Sequence, residues 1–176
     1  MRIFLLILSI FMLNIPAMAE TILTGGVDYN VNSARKELFQ NYEPYINRNL
    51  LNLHAYDVQN KTNLICLLKG QTDLKDRTLA MFSDGTYAVM YFNDRLNVYY
   101  YKNDGSLLYI EKKESEIYPY KSCKFDITGK IVNKSLRISK GETFIYTPDG
   151  KLIAHWINSN GYDERGNIVM TRKYAE

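Results

Sequence analysis

Glycine recurs in one fixed setting through the second half of the sequence: YKNDGSL at Gly105, FDITGKI at Gly129, YTPDGKL at Gly150 and YDERGNI at Gly166. Each copy has an aromatic four residues before the glycine (Tyr101, Phe125, Tyr146, Tyr162) and a Leu or Ile two residues after it (Leu107, Ile131, Leu152, Ile168). FSDGTY at Gly85 is a fifth copy, one residue tighter on its leading side, and YDVQNKT reads as a sixth with Asn60 in the glycine's place. From Gly85 onward the glycines are 20, 24, 21 and 16 residues apart, a spacing that signals a repeat architecture. A hairpin loop explains the pattern. In Thr147-Pro148-Asp149-Gly150 the proline presets the first central angle of a type I turn, and glycine takes the left-handed conformation that follows it.

Second connections lie between the glycine turns: FNDR (92–95), KESE (113–116), SKGE (139–142) and NSNG (158–161). The chain therefore reads as a meander of antiparallel hairpins. Strands are expected near 50–57, 63–69, 77–83, 86–92, 96–102, 106–112, 118–126, 130–138, 142–147, 151–157 and 167–173. The expected fold is mainly β, an open twisted sheet, with closure into a barrel or sandwich as the alternative. One short helix is expected ahead of it over NSARKELFQN from Asn32, with Ala34 and Leu38 on one face, Pro44 beyond its end and no capping box. After each glycine two consecutive residues are apolar, as in Leu107/Leu108, Ile131/Val132, Leu152/Ile153 and Ile168/Val169. Neighbouring strand residues point to opposite faces, so both faces are covered near the turns, by the helix or by curling of the sheet.

The two cysteines, Cys66 and Cys123, fall five strands apart in this reading, roughly 24 Å in an open sheet. A disulfide needs Cα atoms within about 7 Å, so an open sheet implies two free thiols.

The opening MRIFLLILSIFMLNIPAMAE has the anatomy of a secretory signal: Arg2, an apolar run from Ile3 to Leu13, Pro16, and the small residues Ala17 and Ala19 flanking Met18. Residues 1–19 are expected to be removed, leaving 20–176 as a single β-repeat domain. Within it, 20–49 form an N-terminal segment carrying the helix and 50–176 the meander. The expected location is extracytoplasmic, periplasmic or secreted, with no membrane span after cleavage. A net charge of +3 with both signs interspersed gives no clustered basic face for nucleic acid.

YDERGNI is similar to the tyrosine-aspartate (YD) repeat of large exported Rhs-type proteins, through Tyr162, Asp163, Gly166, Asn167 and Ile168. VYYYKNDGSL resembles the variant MORN-type repeats of bacterial exported and antitoxin-like proteins, although the further glycine of ordinary MORN repeats is missing. Together the resemblances cover about 81–175. They imply a β-hairpin repeat scaffold and carry over no catalytic residue.

No catalytic, cofactor or metal constellation stands out. His54 and His155 sit alone in strand patterns, and Gly25-Gly26 lacks the strand, helix and lysine of a phosphate loop. The fifteen tyrosines suit a β-protein with an aromatic face. Candidate ligand-binding residues are Tyr99, Tyr100, Tyr101, Tyr109 and Trp156, as a platform for sugar rings, together with His155 beside Trp156. The plainer role for such rings is cross-strand pairing, worth roughly 0.2–1 kcal/mol per pair. The expected function is an exported, non-enzymatic binding module for an envelope protein or glycan. The alternatives are a small extracytoplasmic hydrolase using His155, Glu142 and Asp163, or an immunity-like protein acting outside the cytoplasm. N-terminal sequencing of exported material is expected to begin at Glu20; an intact Met1 would overturn the signal reading.

Overall fold

The computed structural model describes residues 29–68 and 74–172, so Gly25, Gly26 and the signal segment lie outside the described residues. Ten strands form one sheet in sequence order, every neighbouring pair antiparallel: β1 (Arg77–Met81), β2 (Tyr87–Tyr91), β3 (Asn97–Tyr101), β4 (Leu107–Lys113), β5 (Tyr120–Asp126), β6 (Ile131–Arg137), β7 (Glu142–Tyr146), β8 (Leu152–Ile157), β9 (Asn160–Tyr162) and β10 (Ile168–Thr171). β1 and β10 do not pair, so the meander is open.

The five glycine loops are built alike. Gly85, Gly105, Gly129, Gly150 and Gly166 all have φ between +81° and +88°. In each, the glycine N–H donates to the carbonyl three residues back, and that residue's N–H donates to the carbonyl one past the glycine, as in Gly105 to Lys102 (3.0 Å) and Lys102 to Ser106 (2.9 Å). This is a type I turn closed by a left-handed residue. It also sets the register. Bulges fall just before Tyr101, Phe125 and Tyr146, which are the repeat aromatics, and all three rings are buried on one face.

Helices cover that face. α1 (Val31–Gln40) buries Ala34 and Leu38, as the sequence pattern requires. Its start differs from expectation: Asn30 and Ser33 form a capping box, with an asparagine as the cap residue. The expected strands at 50–57 and 63–69 are instead α2 (Arg48–Leu53) and α3 (Val58–Leu68), so the meander begins at Arg77 and the described residues hold three helices where one was expected. The reason is local. Asn47 accepts from the Asn49 N–H (3.0 Å) and Asp57 from the Asn60 N–H (3.1 Å), and each cap starts a helix whose apolar stretch, 50–53 or 64–68, is too short for periodicity to distinguish from a strand. Asn60, the sixth glycine position of the sequence reading, is accordingly a buried helical residue and not a turn.

Two apolar clusters fill the space between the layers. Leu51 and Leu64 pack on Tyr87, Val89, Tyr99, Tyr101, Leu107 and Ile110, while Ala34 and Leu38 pack on Leu136, Phe144, Tyr146 and Leu152. Burying a side chain of this size stabilises by roughly 1.5–3 kcal/mol. Cys123 also faces inward from β5, as a buried free thiol whose pKa burial pushes up to about 12. The Cys66 side chain lies outside the described residues.

The middle three glycine turns dock the helical layer. A β-carbon on Gly105 would lie 3.2 Å from Tyr56 Cε2, and one on Gly129 would meet Ile46 and Leu51 at 3.4 and 3.5 Å, whereas Gly166 has nothing within 4 Å. The link between α2 and α3 is hydrogen-bonded to the first of these turns, through Asp57 N–H to Gly105 O (3.3 Å) and Leu107 N–H to Ala55 O (2.9 Å). Gly105→Ala and Gly166→Ala should each cost about 1–2 kcal/mol from the positive φ. Gly105→Ala is expected to lose more, since it also displaces Tyr56; equal melting shifts for the two variants would contradict this docking.

Candidate functional site

Pairing register divides the strand residues between two faces. Tyr99 faces Ile110 and Tyr100 faces Tyr109, so consecutive tyrosines of β3 point opposite ways. Tyr99 and Tyr101 are 1% and 0% exposed beneath the helices. Tyr100 and Tyr109 lie together on the other face, so the expected platform is split between the two sides of the sheet. His54, expected in a strand, caps α2, stacks on Tyr99 with centroids 3.9 Å apart and places Nδ1 3.1 Å from Tyr101 Oη. These tyrosines anchor helices.

Among the described residues no helix packs on the second face, yet much of it is buried. Ser122, Ser135, Ala154 and Trp156 are all at most 7% exposed. The sheet twists and curls over this face, bringing Arg172 of the β10 end near enough to act on Tyr100 of β3 and Lys124 of β5. Its centre is a polar network. Glu111 accepts from Tyr100 Oη and Ser122 Oγ, both at 2.8 Å; Ser122 and Ser135 hydroxyls are 2.6 Å apart; and Lys124 Nζ sits over the Tyr100 ring at 4.2 Å. Burial raises the Tyr100 pKa well above its ordinary value and lowers that of Lys124.

Two hollows flank this network and share Arg137. A cleft of about 770 Å³ is lined by Arg137, Lys140, Glu142, Trp156, Arg172 and the polar residues Ser139, Thr143, Asn158 and Ser159. A second, of about 390 Å³, is lined by Ala80, Phe82, Ala88, Met90, Val98, Tyr118 and Tyr120, with Glu111, Lys113 and Arg137. Both volumes are in the range of small-ligand sites. The Arg137 Nε is buried and makes no hydrogen bond to any described residue.

Trp156 is a wall of the cleft and not an open platform. Arg172 covers its ring, with the guanidinium carbon 3.8 Å from the centroid. Gly161 backs it, where a β-carbon would fall 3.2 Å from Trp156 Cε2. His155 points to the helical face, stacked on Phe144 at 3.9 Å, with Nε2 2.8 Å from Glu142 Oε1. Asp163 accepts the Arg165 and Asn167 N–H groups of its own turn and is committed there. Sequence reasoning thus missed Arg137, Lys140 and Arg172. Its only available signal was alternation along NKSLR, which puts Asn133, Ser135 and Arg137 on one polar face.

Among the described residues no group of three or more His, Cys, Asp or Glu is placed to hold a metal ion, and no helix is long and apolar enough to cross a membrane. The chain matches no protein-family model, no curated protein and no solved structure.

His54 has its pKa lowered by burial, against the opposing pull of Asp57 and Asp94. On acidification the unfolded chain takes up this proton first. The stability His54 contributes is therefore complete above an unfolded value of about 6.5 and is lost as pH falls through the lower folded value. Between about pH 7.5 and about pH 5.5 the melting temperature should fall more for the native chain than for His54→Gln. Parallel pH profiles would show that His54 is not the group responsible.

Proposed function

We propose that the protein is an exported, non-enzymatic binding module of the cell envelope or extracellular space, holding its ligand on the sheet face opposite the helices. One observation carries this reading: two hollows of ligand size share Arg137 on a face whose centre is rigidified by a hydrogen-bonded polar network. The secretory anatomy of residues 1–19 supports the location, and the likeness of the hairpins to MORN-type and YD repeats supports a scaffold role. The envelope glycans and proteins are the ligand pool.

The hydrolase alternative draws on the contact between His155 and Glu142. Against it, Glu142 lines the cleft and His155 does not, which leaves the imidazole facing Phe144 and away from the hollow. The exported chain should retain ligand from an envelope-glycan array or immobilised envelope proteins without turning it over, and Arg137→Gln should weaken retention while His155→Ala leaves it unchanged. Turnover of ester, glycoside or peptide substrates that disappears in His155→Ala would favour the hydrolase instead.

A further inference from the structure

The ligand class follows from what lines the two adjacent hollows, and rests on the binding-module reading above. Cations dominate the charged lining: Lys113, Arg137, Lys140 and Arg172 stand against Glu111 and Glu142. Both carboxylates are already engaged, Glu111 by Tyr100 and Ser122, and Glu142 by His155. Arg172 stacks on Trp156, and Arg137 lines both hollows. Such a set is complementary to an anion.

The remaining lining narrows the anion to a sugar. The larger cleft carries hydroxyl and amide groups, Ser139, Thr143, Asn158 and Ser159, which match a polyhydroxylated ligand. At the smaller hollow two rings are presented outward with a second ring behind each. Phe82, 45% exposed, stacks on Tyr100 at 6.3 Å, and Tyr118, 37% exposed, stacks on Tyr120 at 5.4 Å. Backed, half-exposed rings offer flat apolar faces at little entropic cost. Each hollow is by itself of small-ligand size, so a ligand that occupies both, side by side at Arg137, is an oligomer.

We infer that the two hollows sharing Arg137 bind an acidic oligosaccharide, its carboxylate or phosphate groups paired with Arg137, Lys140 and Arg172 and its rings laid against Phe82 and Tyr118. An exposed apolar patch alone would not select for charge, and a basic patch alone would not select for rings; this face has both.

Fluorescence of Trp156, the only tryptophan in the chain, together with calorimetry, reads the site. The full exported chain is titrated with oligogalacturonate, with its methyl ester, with a phosphomannan oligosaccharide and with polyglutamate. Either acidic sugar is expected to bind, the tighter of the two naming carboxylate or phosphate as the anion, with the ester and polyglutamate each about tenfold weaker or more. Lys140→Gln, at an exposed position where folding is not at risk, and Arg137→Gln should weaken acidic-sugar binding about tenfold, and Phe82→Ala should weaken it too. Lys36→Gln, an exposed residue of α1 with the same charge change, should not. Polyglutamate binding as tightly as the acidic sugars, an ester binding as tightly as the acid, or equal loss in Lys36→Gln would overturn the acidic-sugar assignment while leaving the binding reading standing. Failure of every probe to move Trp156, combined with a blank glycan and protein array, would overturn both.

Discussion

The left-handed residue in each hairpin turn is the constraint on which the sheet depends. With φ between +81° and +88° at five glycines, the same pair of turn hydrogen bonds closes every loop, so every hairpin leaves its turn in the same register. Register decides which face each side chain occupies, and a slip by one residue would reverse them all. The fixed distance from glycine to aromatic thus delivers Tyr101, Phe125 and Tyr146 to the same side of the sheet, where they are at most 2% exposed. The repeat is a device for building an aromatic inner face. Its opposite, polar face is a by-product of the same alternation.

The helical layer uses the turns as footholds. Tyr56 meets Gly105, Ile46 and Leu51 meet Gly129, and Arg35 donates from Nε to Gly150 O at 2.8 Å. Polar anchors supplement these contacts deeper in the layer. Tyr146 Oη donates to Val31 O at 2.6 Å, Lys134 to Tyr42 O at 2.9 Å, and Tyr91 Oη to Asp57 at 2.9 Å beneath the stacked Arg77 guanidinium. Buried hydroxyls and ammonium groups are costly unless paired, so each of these bonds fixes where a helix can sit. That explains why the inner aromatics are so often tyrosine: phenylalanine would fill the volume without specifying the helix position.

Turn chemistry was legible in the sequence because it is local. Gly105 and Gly150 are left-handed as the spacing requires, and the strand segments from β1 to β8 and β10 fall where the meander places them; only the short β9, over Asn160–Tyr162, was read as part of a connection. The helices at 48–53 and 58–68 were not legible, because their signals are single capping side chains, Asn47 and Asp57, set before short apolar runs. The candidate site was still less so. Tyr99 and Tyr100 are neighbours in sequence and belong to opposite faces, while Arg137 and Arg172 are far apart in sequence and flank one tryptophan-walled cleft. Which residues converge there is set by curvature of the sheet, a property summed over ten strands that no short motif records.

That curvature also accounts for the unusual economy of the second face. A flat open sheet of ten strands would leave Ser122, Ser135 and Trp156 wet, and a closed barrel would leave no groove. Here the sheet curls far enough for Arg172 to reach the field of Tyr100 and Lys124 without β10 pairing to β1. Gly161 leaves room for this approach, since a β-carbon there would press at 3.2 Å on the Trp156 ring that carries Arg172. The interior of the curl is dry enough to lower the Lys124 pKa, and in such surroundings a charge is stable only when compensated, as Lys124 is by Glu111 and the Tyr100 and Tyr109 rings. Arg137 sits at the mouth of that interior beside Tyr120 and within the field of Glu111. It lines both hollows, so an anion arriving there from solution would meet a cation already held in place by the sheet.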